Sequence, residues 1–583
     1  MATPQNPRPP RSPLARYTPA IAVVAIVAIV IAIVAVVSGG KDNKNTVSTN
    51  TSTTVNAKPT FPDVPVFYNE AKAAGTLSKY TWADNCDTAT GLVKIPILNP
   101  PPCVAIHQGD NGGKTAPGVS ATTIKIGYFL PKPDPLYDAI FAAAGAYDPP
   151  ASSAQAYKDY IDIYAHQYAL SGRKIELVKI QGTGGSTDEV SAKADADKAA
   201  AAGVFAVIGG PSQTQSFQTE LARKHVMCIG SCIIAAPQSF DEANSPYIWP
   251  TGPTPEETAK LTVELIQKQL GNGDAKYAGD PALQKEPRRY ALLSYDTPNG
   301  EYKESWDNFY NDLKQSGLPL AKNGHVSYFL NPQSLVADGR TIANKLKATG
   351  ATTIIFTGDP IFPQFLTKNM TEQGYFPEWV MAGTVLADTV VFARQFDQKQ
   401  WQHAFGLELT PARLPKPEQD AYTLHEWWFG TQPPTQNNFG IIKGDVELAM
   451  NGLYLAGSNL TPDTFKEGID HLPPKVAGPL GLNTITTYGD HGFWDGNDPG
   501  GLDNAGVLFW DPNATGPDET GTQGKGMYRL MDGGKRYVRN TFPTSAMKLF
   551  DPANTVTFYE AGQIPAELKP APVPVPADAP ANK

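Results

Sequence analysis

The loop from Gly209 to Gln215 carries residue types that are suited to holding a small carboxylate. Two glycines come first, and Ser212, Gln213 and Thr214 follow them directly before a predicted helix. Backbone N–H groups and hydroxyl groups at a helix N-terminus bind anionic ligands. Ordinary helix capping explains any one of these side chains equally well. The loop is therefore a candidate ligand site whose meaning depends on the elements that position it.

Sequence motifs for catalysis are not found. The chain has no G-x-S-x-G elbow, no H-E-x-x-H motif and no phosphate-loop lysine motif. His425-Glu426 precedes two tryptophans, which indicates a core or lobe-contact face rather than a metal site. The acidic run Asp490–Asp498 invites a calcium interpretation, but Pro499 falls where an EF-hand loop needs an oxygen ligand. We expect no catalytic residue, no metal and no cofactor, and a solvated acidic loop at this run.

Alternating strands and helices surround the candidate loop. The predicted strands of this unit are 124–130, 174–180 and 204–210, with helices at about 155–170 and 187–202 between them. The third strand is apolar on both faces, which is typical of buried parallel sheets that hold ligands at their C-terminal ends. A second unit of the same kind follows between residues 289 and 384. The fold class is therefore α/β, with two parallel sheets.

Short motifs recur in a recognisable order along both units. They are Ile124-Lys-Ile-Gly, Gly172-Arg-Lys-Ile-Glu-Leu, Gly203-Val-Phe-Ala-Val-Ile-Gly, Pro246-Tyr-Ile-Trp-Pro, Tyr290-Ala-Leu-Leu with Asn299-Gly-Glu-Tyr, and Gly374-Tyr-Phe-Pro-Glu-Trp. Together they resemble the type 1 periplasmic binding proteins, and more narrowly the branched-chain amino acid substrate-binding components of ABC importers. The resemblance covers roughly residues 121 to 470 and extends more loosely to about 540. It implies a two-lobed clamp, hinged by three crossings, that closes on a small solute.

The resemblance also implies which positions line the clamp. In lobe 1 these are Ser212, Gln213, Thr214, Gly230, Ser231 and Cys232. In lobe 2 they are Asp296, Asn299, Tyr302, Gly358, Asp359, Gly383 and Thr384. Amino-acid binders need an acidic group beside the ligand ammonium, because desolvating a cation without a partner is costly. Only Asp296 and Asp359 offer one, and without either the ligand can be an amide, a short carboxylate or an aromatic acid.

The four cysteines fall into two local pairs, Cys86 with Cys103 and Cys228 with Cys232. In an oxidising compartment the simplest interpretation is two disulfides. A straight strand leaving Cys228 would carry the second pair out of bridging range. A four-cysteine zinc site and a redox pair stay open, although the spacings match neither kind of site.

The N-terminal region contains a stretch of the length and composition of a membrane anchor. Ala20–Val37 is eighteen residues without a charge, long enough to cross the hydrocarbon core. Arg8, Arg11 and Arg16 precede it, so this flank should stay in the cytoplasm and the rest of the chain outside. A cleaved secretory signal is the alternative, although its apolar core is normally shorter.

These observations divide the chain of 583 residues into regions. They are a cytoplasmic stub at 1–16, a transmembrane anchor at 17–38, a linker at 39–60, a disulfide-containing extension at 61–120, lobe 1 at 121–250, lobe 2 at 251–384, a return to lobe 1 at 385–470, completion of lobe 2 with a C-terminal extension at 471–560, and a disordered Pro/Ala tail at 561–583. The expected location is the cell membrane, single-pass, with the C-terminal domain extracellular.

The function expected from this organisation is capture of a small solute for an ABC importer, without enzymatic activity. The expected partners are the solute, an ABC permease and the membrane. A net charge of −9 argues against nucleic acid as a partner. A ligand-sensing or scaffold ectodomain is the first alternative, because it uses the same clamp. An envelope hydrolase is the second, and it lacks a nucleophile constellation.

We predict that Ala20–Val37 remains on the mature protein, because its length suits a membrane span better than a signal peptide. N-terminal sequencing of protein taken from cells tests this directly. A mature N-terminus near Ser38 or Gly39 would identify the segment as a removed signal.

Overall fold

The computed structural model of the protein describes residues 64–134, 138, 142, 145, 147–211, 213–232, 236–297, 299–331, 334–383 and 386–583. The predicted stub, anchor and linker lie outside the described residues, as do Ser212 and Thr384. Among the helices that are described, none is long and apolar enough to cross a membrane.

Lobe 1 is built on a five-stranded parallel sheet. Its strands are β3 (Thr123–Leu130), β4 (Lys174–Gln181), β5 (Ala206–Ile208), β6 (Met227–Ile229) and β7 (Ile248–Trp249), in the order β4-β3-β5-β6-β7. The connecting helices are α2 (Pro150–Gln167), α3 (Glu189–Ala201), α4 (Ser216–Arg223) and α5 (Gln238–Asn244). The three residues of β5 are fully buried, since helices cover both faces of the sheet.

Three later helices return to lobe 1. They are α12 (Asp420–Phe429), α13 (Phe439–Leu455) and α14 (Pro462–Asp470). Helix α13 is buried along most of its length and packs against α2, so its apolar residues complete the lobe 1 core. His425 lies in this core, where its Nε2 contacts Asp159 at 3.1 Å, as the two neighbouring tryptophans indicated.

Lobe 2 contains a larger, mixed sheet. Its parallel strands are β8 (Tyr290–Tyr295), β9 (Leu320–Tyr328), β10 (Thr353–Thr357), β11 (Glu378–Met381) and β12 (Ala404–Glu408). Its helices are α6 (Pro255–Gln269), α7 (Lys303–Gln315), α8 (Leu335–Thr349), α9 (Phe362–Glu372), α10 (Val390–Ala393) and α11 (Gln398–Trp401). Helix α6 begins with a capping box between Thr254 and Glu257, which stabilises the first turn after the crossing from lobe 1.

The C-terminal region extends this sheet. Strand β13 (Asn504–Pro517) pairs antiparallel with β12, and β14 (Gln523–Leu530) and β15 (Arg536–Val538) pair antiparallel with β13. The sheet order is therefore β14-β13-β12-β11-β10-β8-β9, with β15 also paired to β13. The chain passes between the lobes at residues 250–254, 409–419 and 471–503, which are the crossings of the clamp.

The N-terminal extension packs against lobe 1. It contains α1 (Tyr68–Ala73) and the short antiparallel pair β1 (Cys86–Asp87) and β2 (Leu92–Val93). The buried guanidinium of Arg173 holds it in place by donating to the carbonyl oxygens of Asn111, Ser120 and Ser458 at 2.6–2.8 Å. These bonds satisfy a buried cation and join the extension to the lobe.

Both predicted disulfides are present. Cys86 is bonded to Cys103 with a Cα–Cα distance of 5.7 Å, and Cys228 to Cys232 with 5.8 Å. The second pair is possible because the chain does not leave β6 straight. Gly230 has φ +79°, a left-handed conformation that turns the chain back towards Cys228.

The Pro/Ala tail was expected to be disordered, but it packs on lobe 1. The carbonyl oxygen of Val573 accepts a hydrogen bond from Nε1 of Trp427 at 3.0 Å, and Ala579 is fully buried. Nearby, Lys569 contacts Glu418 at 3.4 Å. An extended proline-rich segment leaves its carbonyl oxygens unpaired, so a neighbouring donor such as an indole N–H can fix it.

We predict that Glu378→Ala destabilises lobe 2 strongly. The Glu378 carboxylate accepts two hydrogen bonds from Arg288, at 2.8 and 2.9 Å, and further bonds from Thr353 and the backbone of Tyr277. Removing it leaves the buried Arg288 cation unpaired, a change that typically costs about 3–5 kcal/mol. Urea unfolding at pH 7 measures the loss. The control is Glu372→Ala, at an exposed position on α9, and an equal effect of both changes would contradict the prediction.

Candidate functional site

A cavity of about 470 Å³ lies at the C-terminal edge of the lobe 1 sheet. Its walls are the segments that follow the first four strands of the lobe in the chain: 131–134 after β3, 184–186 after β4, 209–211 after β5, and Ser231 after β6. The starts of α2 and α13 close the remaining sides. This is the edge where parallel sheets hold ligands, and the volume suits a small organic molecule.

The floor of the cavity is formed by hydroxyl groups around a buried carboxylate. Tyr157 and Ser231 line the cavity side by side. The Ser231 hydroxyl donates to one oxygen of Asp445, and the Ser231 backbone N–H donates to the other at 2.9 Å. The Thr251 hydroxyl also reaches this carboxylate, at 3.4 Å. Thr251 belongs to a lobe crossing, so the floor is connected to the hinge.

Asp445 is only 1% exposed, and burial raises its pKa to about 7. The hydrogen bonds from Ser231 and Thr251 act in the opposite direction and favour the ionised form. The contact also requires a glycine at position 230. A Cβ atom at this position would lie 2.3 Å from Cγ of Asp445, which is too close for any side chain.

The walls above the floor are mainly apolar, and the rim is charged. Phe129, Leu130, Ile441 and Ile442 supply apolar surface, together with several prolines. The charged residues that line the cavity are Lys132, Asp134, Asp138 and Asp148. The last of these accepts backbone hydrogen bonds at 2.7–2.9 Å from residues 436–438, which lead into α13. The Asp148 carboxylate is therefore already hydrogen-bonded within the protein.

The two lobes touch beside this cavity. The Thr214 hydroxyl donates to Oε1 of Glu301 at 3.4 Å, and Nδ2 of Asn299 donates to Oε1 of Glu189 at 2.7 Å. Gln213, next to Thr214, bonds through its backbone N–H to Ser186 of the cavity wall at 3.2 Å. The loops that form the cavity are therefore also the loops that meet lobe 2.

Glu301 is an acidic group at the lobe interface that the sequence analysis did not single out. It is 6% exposed, and burial, followed by the nearby charge of Glu189, raises its pKa to about 7. In the described part of the chain its Oε2 has no hydrogen-bond partner. Glu301 is part of the Asn299-Gly-Glu-Tyr motif. The sequence analysis therefore identified the correct turn, but it selected Asn299 and Tyr302 rather than Glu301 as the residues facing a ligand.

Asp296, Tyr302 and Asp359, predicted to close over a ligand, have contacts within lobe 2. Asp296 accepts backbone hydrogen bonds from Thr297 and Tyr302 at 2.8 and 3.1 Å. Asp359 is fully buried and accepts from the Tyr328 hydroxyl at 2.5 Å and from two backbone N–H groups at the start of α9. Tyr302 is fully buried beside other aromatic rings. Among the described residues, no lobe 2 side chain lines the cavity. As ligand-binding residues these three remain predictions.

The predicted lobe 1 residues that the structure describes lie at or near the cavity. Ser231 lines it, while Gln213 and Thr214 are buried beside it at the lobe interface. Two residues that contribute to the floor were missed. Tyr157 belongs to the aromatic stripe of α2, a pattern that predicts core packing. Asp445 lies between Lys443 and Glu447 in a helix expected only to return to lobe 1, so no local pattern distinguished it.

The acidic run at 490–498 differs from the solvated loop expected for it. Residues 495–497 are exposed, but Asp498 and Asp503 are buried and hydrogen-bonded to each other, and Asp498 also bonds Glu257 of α6. Burial and the neighbouring carboxylates raise the pKa of Asp498 strongly, so a shared proton joins this loop to the helix after the first crossing. Within the described ranges, no group of His, Cys, Asp or Glu side chains is arranged to hold a metal ion.

Comparisons with known proteins give one family and a set of similar folds. The profile of the family described as "Periplasmic binding protein" matches residues 139–493. No significant match is found among curated protein sequences.

Three of the similar solved structures are solute-binding proteins of bacterial transporters. A fatty acid ABC transporter substrate-binding protein from Thermomonospora curvata has 16% identity, with 76% of this chain and 99% of that chain covered and a TM-score of 0.47. A solute binding protein from Rhodopseudomonas palustris in complex with p-hydroxybenzoic acid has 13% identity, coverage of 73% and 98%, and a TM-score of 0.47. The branched-chain amino acid binding protein LivJ from Streptococcus pneumoniae, in complex with isoleucine, has 12% identity, coverage of 70% and 100%, and a TM-score of 0.44.

We predict that Glu301→Gln stabilises the protein at pH 8 but not at pH 4. The pKa of Glu301 lies at about 7 in the folded protein against 4.5 ordinarily, so the folded state binds the proton more tightly than the unfolded chain. The resulting stability is fully present below the ordinary pKa and is lost as pH rises to 7. The glutamine keeps the neutral form, which should raise the free energy of unfolding at pH 8 by about 1–2 kcal/mol.

Urea unfolding at both pH values measures this difference. Glu372→Gln, at an exposed position of the same lobe, is the control and should change neither value. Destabilisation of the Glu301 variant at pH 8 would show that the ionised carboxylate is the favoured form in the closed protein.

Proposed function

This chain belongs to the periplasmic binding protein family, and we propose that it captures a small polar solute between its two lobes outside the cytoplasm. The observation that carries the proposal is the position of the cavity. It lies at the C-terminal edge of the lobe 1 sheet, and its wall loops continue directly into the contacts with Asn299 and Glu301 of lobe 2. A solute in the cavity would therefore be held where opening and closing of the clamp takes place.

The proposed solute is an amino acid, an amide or a short carboxylate. In this proposal lobe 1 contributes Ser212, Gln213, Thr214 and Ser231, and lobe 2 contributes Asp296, Asn299, Tyr302, Asp359 and Thr384. The contacts of Asp296 and Asp359 with their own helices weaken the case for these two as partners of an ammonium group. Glu301, with one carboxylate oxygen unpaired at the lobe interface, is the better candidate from lobe 2.

The proposed biological role is delivery of the solute to an ABC importer, with the protein tethered to the membrane by Ala20–Val37. The family supports an extracytoplasmic location, and the tether rests on the sequence of the anchor alone. The alternative, a sensor or scaffold ectodomain, uses the same clamp but passes its ligand to no permease.

We predict that one solute class raises the thermal stability of the purified protein in a screen of amino acids, amides and small acids. A ligand at about a hundredfold its dissociation constant stabilises a protein by about 2.7 kcal/mol, because it binds the folded state alone. The radius of gyration from small-angle scattering should also decrease slightly as the clamp closes on that ligand.

Ser212→Ala should weaken the binding of that ligand by about 0.5–1.5 kcal/mol, the usual contribution of one hydrogen bond. Ser458→Ala, in lobe 1 but away from the cavity, is the matched control. Absence of any stabilising solute would contradict the proposal, and chemical turnover of the ligand would favour a hydrolase. Unchanged uptake of the labelled ligand by cells lacking the protein would favour the sensor over the importer.

A further inference from the structure

The Ser231 hydroxyl on the floor of the lobe 1 cavity offers lone pairs rather than a proton. Ser231 has one hydroxyl proton, and it is directed to the Asp445 carboxylate. The Tyr157 hydroxyl lies beside Ser231, and burial keeps the phenol neutral, so its oxygen can accept a hydrogen bond and its proton can be donated. A ligand head that reaches the floor therefore meets oxygen atoms that can accept a hydrogen bond, with a buried carboxylate directly behind them.

The charges around the cavity act in the same direction. One lysine, Lys132, stands among the lining residues against three aspartates. Asp148 accepts hydrogen bonds from the backbone N–H groups before α13, and Asp134 and Asp138 are the other two carboxylates of the lining. Since Asp445 adds a carboxylate under the floor, the cavity disfavours a ligand that brings a negative charge of its own.

The walls require an apolar ligand body. Phe129, Leu130, Ile441 and Ile442 line the cavity, and four prolines and two tyrosines add further surface without a charge. A volume of about 470 Å³ holds more than a single short amino acid and suits a molecule with an extended aliphatic or aromatic part.

From these three features we infer that the cavity selects amphipathic solutes whose head donates hydrogen bonds, with a primary amine preferred over an alcohol or amide and a carboxylate disfavoured. The inference rests on the proposed solute-binding function and narrows its ligand class. The ammonium or hydroxyl protons would reach Ser231 and Tyr157 on the floor, and the apolar body would pack against the isoleucines of α13. The backbone N–H groups of the loop 184–186 are the competing anchor, and they would favour a carboxylate instead.

The experiment compares four probes that share one apolar body and differ only in the head. They are 4-phenylbutylamine, 4-phenylbutan-1-ol, 4-phenylbutyramide and 4-phenylbutyrate, titrated into the full chain by calorimetry at pH 8, where Asp445, with a pKa of about 7, is largely ionised and the amine is still protonated. A charge-assisted hydrogen bond corresponds to about 10- to 100-fold in affinity, so the amine should bind at least about tenfold more tightly than the carboxylate, with the other two between them.

Two variants locate the selectivity. Ser231→Ala removes the acceptor on the floor and should lower the affinity for the amine about tenfold while leaving 4-phenylbutyrate unchanged. Asp445→Asn removes the charge behind the floor and should bring the ratio between amine and carboxylate close to one. Ser153→Ala is the matched control, because Ser153 lines the same cavity one turn before Tyr157 on α2, while the hydroxyls that contact Asp445 are those of Ser231 and Thr251.

Wild-type selectivity alone decides the inference, so it does not depend on whether the variants fold. Binding of 4-phenylbutyrate as tight as that of the amine overturns the inference and points to the 184–186 loop, while solute binding itself stands. Failure of all four probes also overturns it, and the wider solute screen then decides the proposed function separately. Equal loss of amine binding in the Ser153→Ala and Ser231→Ala variants would show that Ser231 on the floor does not determine the preference for the amine, which contradicts the inference.

Discussion

The lobe 1 site depends on the hydrogen bonds that hold the buried carboxylate of Asp445. A buried carboxylate is costly unless it accepts hydrogen bonds, and here Ser231 supplies two and Thr251 a third. These bonds join three parts of the chain that are far apart in sequence: the returning helix α13, the loop after β6 and the first crossing. They therefore connect the cavity floor, the turn at Gly230 and the first crossing to one another.

A second buried carboxylate with a raised pKa, that of Glu301, lies where the two lobes meet. Glu301 is buried when the lobes meet, and it faces both Thr214 and the charge of Glu189. Asp445 contacts the loop after β6, and Glu301 contacts the loop after β5. Each has a raised pKa because burial favours the neutral acid. Proton sharing between Asp498 and Glu257 adds a third such contact at a crossing.

The sequence was informative wherever a local pattern has one physical explanation. The run 204–210 is apolar on both faces, and only burial in a parallel sheet satisfies it. Cys228 and Cys232 are bonded as expected, although the strand geometry alone argued against the pair. The tail was predicted incorrectly because composition reports that a Pro/Ala segment cannot form its own core. It does not report that Trp427 presents a donor to Val573.

The division between sequence and tertiary structure follows from the range of the interactions involved. Periodicity, glycine positions and strand ends are local, so the sequence by itself determined the parallel strands of both lobes and the sheet edge that includes Ser231. It did not reveal the antiparallel strands that extend the lobe 2 sheet. Whether a polar residue faces that edge depends on partners elsewhere in the chain. Asp359 is held by Tyr328 and α9, whereas Asp445 and Tyr157 reach the cavity floor from two separate helices. Only the tertiary structure decided this, because contacts between distant segments leave no spacing in the sequence that could reveal them.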